Sequence, residues 1–168
     1  LVGSEMCIRD SAQFDHGLSW DDVAWLRAVW DGPILVKGIQ SVADAVLAVE
    51  HGVEGIILSN HGGRQLDTAP APFDLVPAVA DVVANAGTGR TEVICDGGVR
   101  RGSDIVKAVS AGATATMGGR LFLYALAAAG EEGVDHVLEL LRSGTERTMA
   151  LVGASSVDEL GAELLEWS

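Results

Sequence analysis

Residues 92–120 read EVICDGGVRRGSDIVKAVSAGATATMGGR. Two short apolar or β-branched runs, Glu92–Cys95 and Ala113–Met117, each end in a glycine pair with an arginine close behind: Asp96-Gly97-Gly98-Val99-Arg100 and Gly118-Gly119-Arg120. Between them, Ser103 and Asp104 open a helix that ends near Gly112. Apolar strands alternating with helices predict a parallel sheet covered by helices. Glycine lets backbone N–H groups approach an anion, and arginine grips a phosphate in two places. A phosphate site after the last two strands is the mark of a (β/α)8 barrel, where the loops after strands 7 and 8 commonly build it. No GxGxxG follows a strand and no Walker A sequence occurs, so the open nucleotide-binding sheets lack their usual marker.

The same alternation extends upstream. Ser19 is a plausible N-cap for a helix to about Trp30, with Val23, Leu26 and Trp30 on one face. Asp31-Gly32-Pro33 stops it. Ile34–Lys37 reads as a strand ending in a cation. Ser41 caps a helix that ends at Gly52. Gly55–Ser59 is the next strand, followed by a polar loop from Asn60 to Pro72, a helix from about Phe73 to Ala86 and a Gly-Thr-Gly turn. Two or three further helices, one of them Gly133–Leu141, follow Arg120. Counting back from strands 7 and 8 makes these the strands 5–8 of an α/β (β/α)8 barrel, its C-terminal half. A whole barrel takes about 250 residues, so the 168 residues here are expected to be a piece of a longer protein. Residues 1–11, LVGSEMCIRDS, read as a non-native leader, 12–160 as the partial barrel and 161–168 as a C-terminal tail. Raw edges on the sheet are expected to make the piece self-associate.

Composition narrows the partners. Eleven Lys plus Arg stand against 24 Asp plus Glu, a formal net charge of −13, which excludes a general nucleic-acid binder or an anionic membrane surface as main partner. An anionic ligand then has to be held by a few local cations. Cys7 and Cys95 cannot make a disulfide framework or a CxxC site, and Cys95 reads as a small buried hydrophobe. His16, His51 and His136 lie far apart, and no HxH or HExxH spacing supports a metal. No stretch is long and apolar enough to span a bilayer, and the start lacks a signal peptide's features. A soluble, cytoplasmic setting is the default, with peripheral membrane association of the parent left open. Trp20, Trp25 and Trp30 recur at five-residue steps and read as partly buried packing.

Four successive strand ends carry polar groups, which is where barrel chemistry is expected. Histidine is the side-chain type suited to proton transfer at physiological pH, so His61 suits a general base; the bland alternative is a loop histidine bonded to backbone. Arg64 suits a carboxylate clamp; the alternative is a salt bridge to Asp67. Lys37 faces the mouth or else is a solvated rim lysine. Asp96 accepts from ligand hydroxyls or else caps the next turn. The glycine and arginine cradle alone also permits other phosphate- or flavin-binding barrels, IMP dehydrogenase-like or type 2 isopentenyl-diphosphate isomerase-like, or a non-catalytic half-barrel.

VKGI at 36–39, SNHGGRQLD at 59–67, DGGVRRGSDIVKA at 96–108 and GGR at 118–120 together resemble the FMN-dependent 2-hydroxy-acid oxidases and dehydrogenases, the glycolate oxidase, lactate oxidase and flavocytochrome b2 group. The resemblance implies oxidation of an L-2-hydroxy acid to the 2-oxo acid with FMN at the barrel mouth, in a parent that is a homo-oligomer. It makes His61 the catalytic base, in contact with substrate, and Arg64 the carboxylate clamp. It makes Lys37 the cation beside the flavin ring and Ser59 a further flavin neighbour. Asp96, Gly97, Gly98, Val99, Arg100, Gly119 and Arg120 become the ribityl and phosphate cradle. The family's N-terminal half, with its second substrate-binding Tyr and Arg and the Asp that orients the base, has no counterpart here, so this chain alone is expected to be inactive. Members often carry a bulkier residue where Gly118 stands. Whether the electrons leave as hydride or after carbanion formation, the substrate side chain and the electron acceptor stay open.

Overall fold

A computed structural model describes residues 17–86 and 91–166. The expected leader at 1–11, Cys7, His16 and the Gly-Thr-Gly turn lie outside the described residues. The chain divides into two compact units, Leu1–Gly32 and Pro33–Ser168.

In the first unit, helix α1 spans Trp20–Val29. Ser19 caps it as expected: its hydroxyl accepts from the Asp21 N–H at 3.3 Å, and the Asp22 carboxylate accepts from the Ser19 N–H at 2.7 Å, a reciprocal arrangement that satisfies free donors of the first turn. Trp20 is half-buried as expected, but Trp25 and Trp30 are 65% and 53% exposed, which corrects the expectation of partly buried packing for those two. Five-residue steps rotate side chains by about 140° around a helix, so no single surface can cover all three.

In the second unit, β1 (Leu35–Ile39), β2 (Gly55–Ser59), β3 (Glu92–Asp96) and β4 (Ala115–Met117) form one sheet in sequence order. Every neighbouring pair is parallel. Helices α2 (Val42–Glu50), α3 (Pro72–Asn85) and α4 (Gly102–Ser110) connect successive strands, and α5 (Arg120–Val152) follows β4. Helix α5 breaks at Ala129–Gly130, where both residues leave helical geometry, so it is two helical pieces, within the two or three the sequence suggests; the second runs on to Val152 and its Gly153 cap, past the expected end at Leu141. Ser41 caps α2, accepting from the Asp44 N–H at 3.0 Å, and His51 at its other end bonds the Leu47 carbonyl through Nδ1 at 2.8 Å. Among the described residues, no helix is long and apolar enough to cross a membrane.

Strand β2, with a parallel neighbour on each side, is buried along its whole length. Side chains alternate between the faces of a strand, so Ile56 and Leu58, both 0% exposed, share one face, while Ile57 and Ser59 share the other. Ala45 and Ala48 of α2, Val76 and Val79 of α3 and Val106 and Ala108 of α4 complete the core. Strands β1 and β4 are the edges, and Leu35 and Met117 there are 47% and 39% exposed. Because all strands run the same way, their C-terminal ends lie along one side of the sheet. That side carries every residue singled out for chemistry.

Four strand limits differ from expectation, two of them by one residue: β1 starts at Leu35 instead of Ile34, and β3 ends at Asp96 instead of Cys95. β1 runs to Ile39 instead of Lys37, with an irregularity between Lys37 and Ile39 at Gly38, whose φ is +104°. β4 starts at Ala115 instead of Ala113, because the Ala113 N–H still bonds the Ala108 carbonyl at 3.0 Å and belongs to the exit from α4.

Candidate functional site

The parallel register places Ser59 of β2 beside Asp96 of β3. The Ser59 hydroxyl donates to Asp96 Oδ2 at 2.7 Å and accepts from Lys37 Nζ at 2.9 Å and from the His61 N–H at 3.1 Å. One donor and two acceptor sites are all a hydroxyl has, so Ser59, 1% exposed, is saturated. Lys37 Nζ also pairs directly with Asp96 Oδ2 at 2.5 Å. Three strand ends are thereby tied through one carboxylate and one hydroxyl. Asp96 Oδ2 is thereby engaged by Lys37 and Ser59, and the capping of the next turn falls to Asp104, whose carboxylate accepts from the Arg100 and Arg101 N–H groups at 2.9 Å. Lys37, with its side chain 39% exposed, is a paired cation rather than a solvated rim lysine.

Burial acts to raise the Asp96 carboxyl, but hydrogen bonds from Lys37 and Ser59 and the charges of Lys37 and His61 outweigh it and hold it below its ordinary value. A folded-state value below the unfolded one stabilises the fold above the unfolded pKa, about 3.9 for Asp, and the contribution is lost as pH falls through the folded value. Urea midpoints measured between pH 5 and pH 2 are expected to fall with acidification more steeply for the native chain than for Asp96→Asn. Equal slopes would show that the carboxylate does not stabilise the fold. Burial, with Asp96 adding to it, pushes the neighbouring Cys95 thiol up to about 11, which fits an inert core cysteine.

Beyond Ser59 the chain turns through a short 3-10 segment, His61–Gly63. Asn60 builds it: its Oδ1 accepts from the Gly62 N–H at 3.1 Å, its Nδ2 donates to the Pro70 carbonyl at 3.2 Å, and its own carbonyl accepts from the Gly63 N–H at 3.0 Å. His61 sits at φ +55°, the single non-glycine residue with positive φ among the described residues. Such a conformation costs of order 1–3 kcal/mol and persists only where its surroundings enforce it. Asn60 escaped the sequence reading, although an asparagine ahead of His-Gly-Gly is a recognisable turn former. Arg64 follows, exposed, and among the described residues it makes no ion pair with Asp67, so the bland reading of that arginine does not hold.

A cavity of about 520 Å³ brings these parts together. Lys37, His61, Arg64, Asp96, Gly97, Gly98, Val99, Arg100, Gly119 and Arg120 all line it. Of the residues singled out from the sequence, Ser59 alone does not, being buried beneath Lys37 and Asp96. Met117, Leu121, Leu123 and Tyr124 add an apolar wall that nothing in the motifs announced; its nearest signal is the apolar run directly after Gly118-Gly119-Arg120. The cavity is of ordinary size for a small-molecule or cofactor site. Added Cβ atoms at Gly98 and Gly119 would meet nothing within 4 Å, so these backbones face open space that a side chain would fill. Two arginines and a lysine beside bare glycine backbone suit an anionic, phosphorylated group. At Gly118 a Cβ would come within 3.1 Å of the Phe122 ring, so a bulkier residue there needs that ring to yield.

Comparison with known proteins gives the same picture. The family model described as FMN-dependent dehydrogenase matches residues 3–167. The chain is 48% identical over 147 residues to a putative L-lactate dehydrogenase of Mycobacterium tuberculosis, covering 88% of this chain and 34% of that protein. It is 50% identical over 150 residues to a peroxisomal (S)-2-hydroxyacid oxidase of Arabidopsis thaliana, covering 89% and 40%. A flavocytochrome b2 variant solved with pyruvate bound superposes with a TM-score of 0.88 at 41% identity, over 92% of this chain and 40% of that one. The chain thus spans about a third to two fifths of the length of these relatives, and its four parallel strands form part of a (β/α)8 barrel. With the motifs, the sheet and the family match in agreement along nearly its whole length, the chain belongs to the FMN-dependent dehydrogenase family.

Proposed function

We propose that this chain carries the base, the substrate clamp and the phosphate cradle of an enzyme that oxidises an L-2-hydroxy acid of the lactate or glycolate type to its 2-oxo acid with FMN. The observation that carries this reading is the single cavity shared by His61, Arg64, Lys37, Arg100 and Arg120. His61 takes a proton from the 2-hydroxy acid. Arg64 holds the substrate carboxylate with its guanidinium fork. Lys37 sets a cation, itself fixed by Asp96 and Ser59, where the reduced ring would carry negative charge. Asp96 through Arg100 and Gly119-Arg120 hold the ribityl chain and phosphate. When bound, FMN accepts the two electrons that leave the hydroxy acid. The pyruvate in the flavocytochrome b2 structure is a 2-oxo acid, the product class of this reaction.

A general base works best when a second group orients it. Among the described residues none hydrogen-bonds the His61 ring, so little or no turnover is expected from these 168 residues alone. Ligand binding is the sharper test. The chain is loaded with FMN and titrated with L-lactate, glycolate and inosine monophosphate while the flavin absorbance is followed. The hydroxy acids are expected to perturb the spectrum, and Arg64→Lys to weaken that response about tenfold or more through loss of the bidentate grip. A response to the nucleotide with none to either hydroxy acid would point to a different barrel chemistry and overturn the proposal.

A further inference from the structure

We infer that Arg120 is a positioning residue that couples occupation of the phosphate cradle to the conformation of the His61 loop. The inference rests on the cradle reading above and adds a function that reading does not contain. Arg120 is the first residue of α5, yet one of its terminal nitrogens, Nη2, donates to the Gly62 carbonyl, 58 residues away, at 3.1 Å. That carbonyl belongs to the residue immediately after His61, inside the strained turn. A guanidinium offers five N–H donors in one rigid plane. Among the described residues Arg120 spends one of them on protein, leaving the rest of the fork for the cavity it lines together with Arg100, Gly98 and Gly119.

The loop is shaped for this approach. Gly62 has φ +70°, and a Cβ there would lie 3.1 Å from Arg120 Nη2 and 3.5 Å from the guanidinium carbon. Any side chain at 62 would therefore press on the arginine plane as well as strain the turn. An anion gripped on the free side of that plane immobilises the group that holds the Gly62 carbonyl, and so holds the turn that presents His61. Linkage makes the effect mutual: whatever fixes the turn tightens the anion by the same factor. A lysine in this place has one compact ammonium and no rigid plane, so it can bind an anion without transmitting its position.

The test uses the full chain and inorganic phosphate at constant ionic strength, with chloride as control. Phosphate binding is read from the 31P signal, and the turn from amide exchange at Gly62 and Gly63 and the ring resonances of His61. In the native chain, phosphate is expected to slow exchange at both amides about fivefold or more, within the usual range of couplings between sites, and to move the His61 signals with the same apparent Kd. At phosphate concentrations that saturate each variant, Arg120→Lys is expected to lose both responses with binding weakened by loss of the two-point grip, and Arg120→Ala to lose them with binding weaker still. Phosphate bound to the native chain without change in the turn would overturn the coupling and leave the cradle intact, as would a full response in Arg120→Lys. Failure of the native chain to bind phosphate would remove the cradle, and the coupling with it.

Discussion

Replacing Arg100 and Arg120 together by alanine is expected to erase the chain's preference for FMN over riboflavin. The two flavins share ring and ribityl chain and differ in the phosphate, so the ratio of their affinities isolates the cradle. The chain's net charge of −13 works against any anion at long range, and the phosphate has to be held locally. Each arginine can supply charge-assisted hydrogen bonds, which are among the stronger polar contacts. Two of them, with the backbone N–H groups around Gly98 and Gly119, are expected to give the native chain a preference of about a hundredfold or more for FMN. Titrations followed by flavin fluorescence, at low salt and at 0.15 M, measure the ratio for each variant. The preference should also shrink with salt, since partly exposed cations are screened. A double variant that keeps the native ratio would show that the phosphate sits elsewhere.

Leu58→Ala is expected to destabilise the chain by about 2–5 kcal/mol, the usual range for emptying a buried leucine site. Leu58 is fully buried on a strand flanked on both sides by others, so neither solvent nor an edge can fill the space it leaves. Folded domains hold only about 5–15 kcal/mol in total, and the urea midpoint should therefore drop by a large fraction. A loss below about 1 kcal/mol, less than a typical core truncation, would mean that this part of the core is loosely packed in solution. The position matters for function as well, because Ser59 follows it directly and anchors Lys37, Asp96 and the His61 N–H.

How much of this could be read along the chain depended on range. Ser19 and Ser41 announced the helices they cap because a cap is a bond between residues two or three apart. Gly55–Ser59 appeared as a strand with the limits it has, since an unbroken apolar run between turn formers leaves no other choice. The ends of β1 and β4 slipped by two residues because pairing with a neighbour and the exit from α4 set them, not the residues themselves. His61 and Arg64 stood out from their chemical types and their place after a strand. Asn60, which shapes the turn that carries them, did not.

Taken alone, the sequence determined the helix and strand order and the parallel sheet, because these follow from periodicity and capping over short spans, and it singled out the polar and glycine-flanked strand ends by residue type. Only the tertiary structure decided that Lys37 and Asp96, 59 residues apart, neutralise one another, that Arg120 holds the Gly62 carbonyl, and that Gly102 lies against α5 so closely that a Cβ would stand 2.0 Å from the Thr145 nitrogen. Those contacts join distant parts of the chain, and distance along a chain says nothing about approach in space until strands pair in a definite register and helices pack over them.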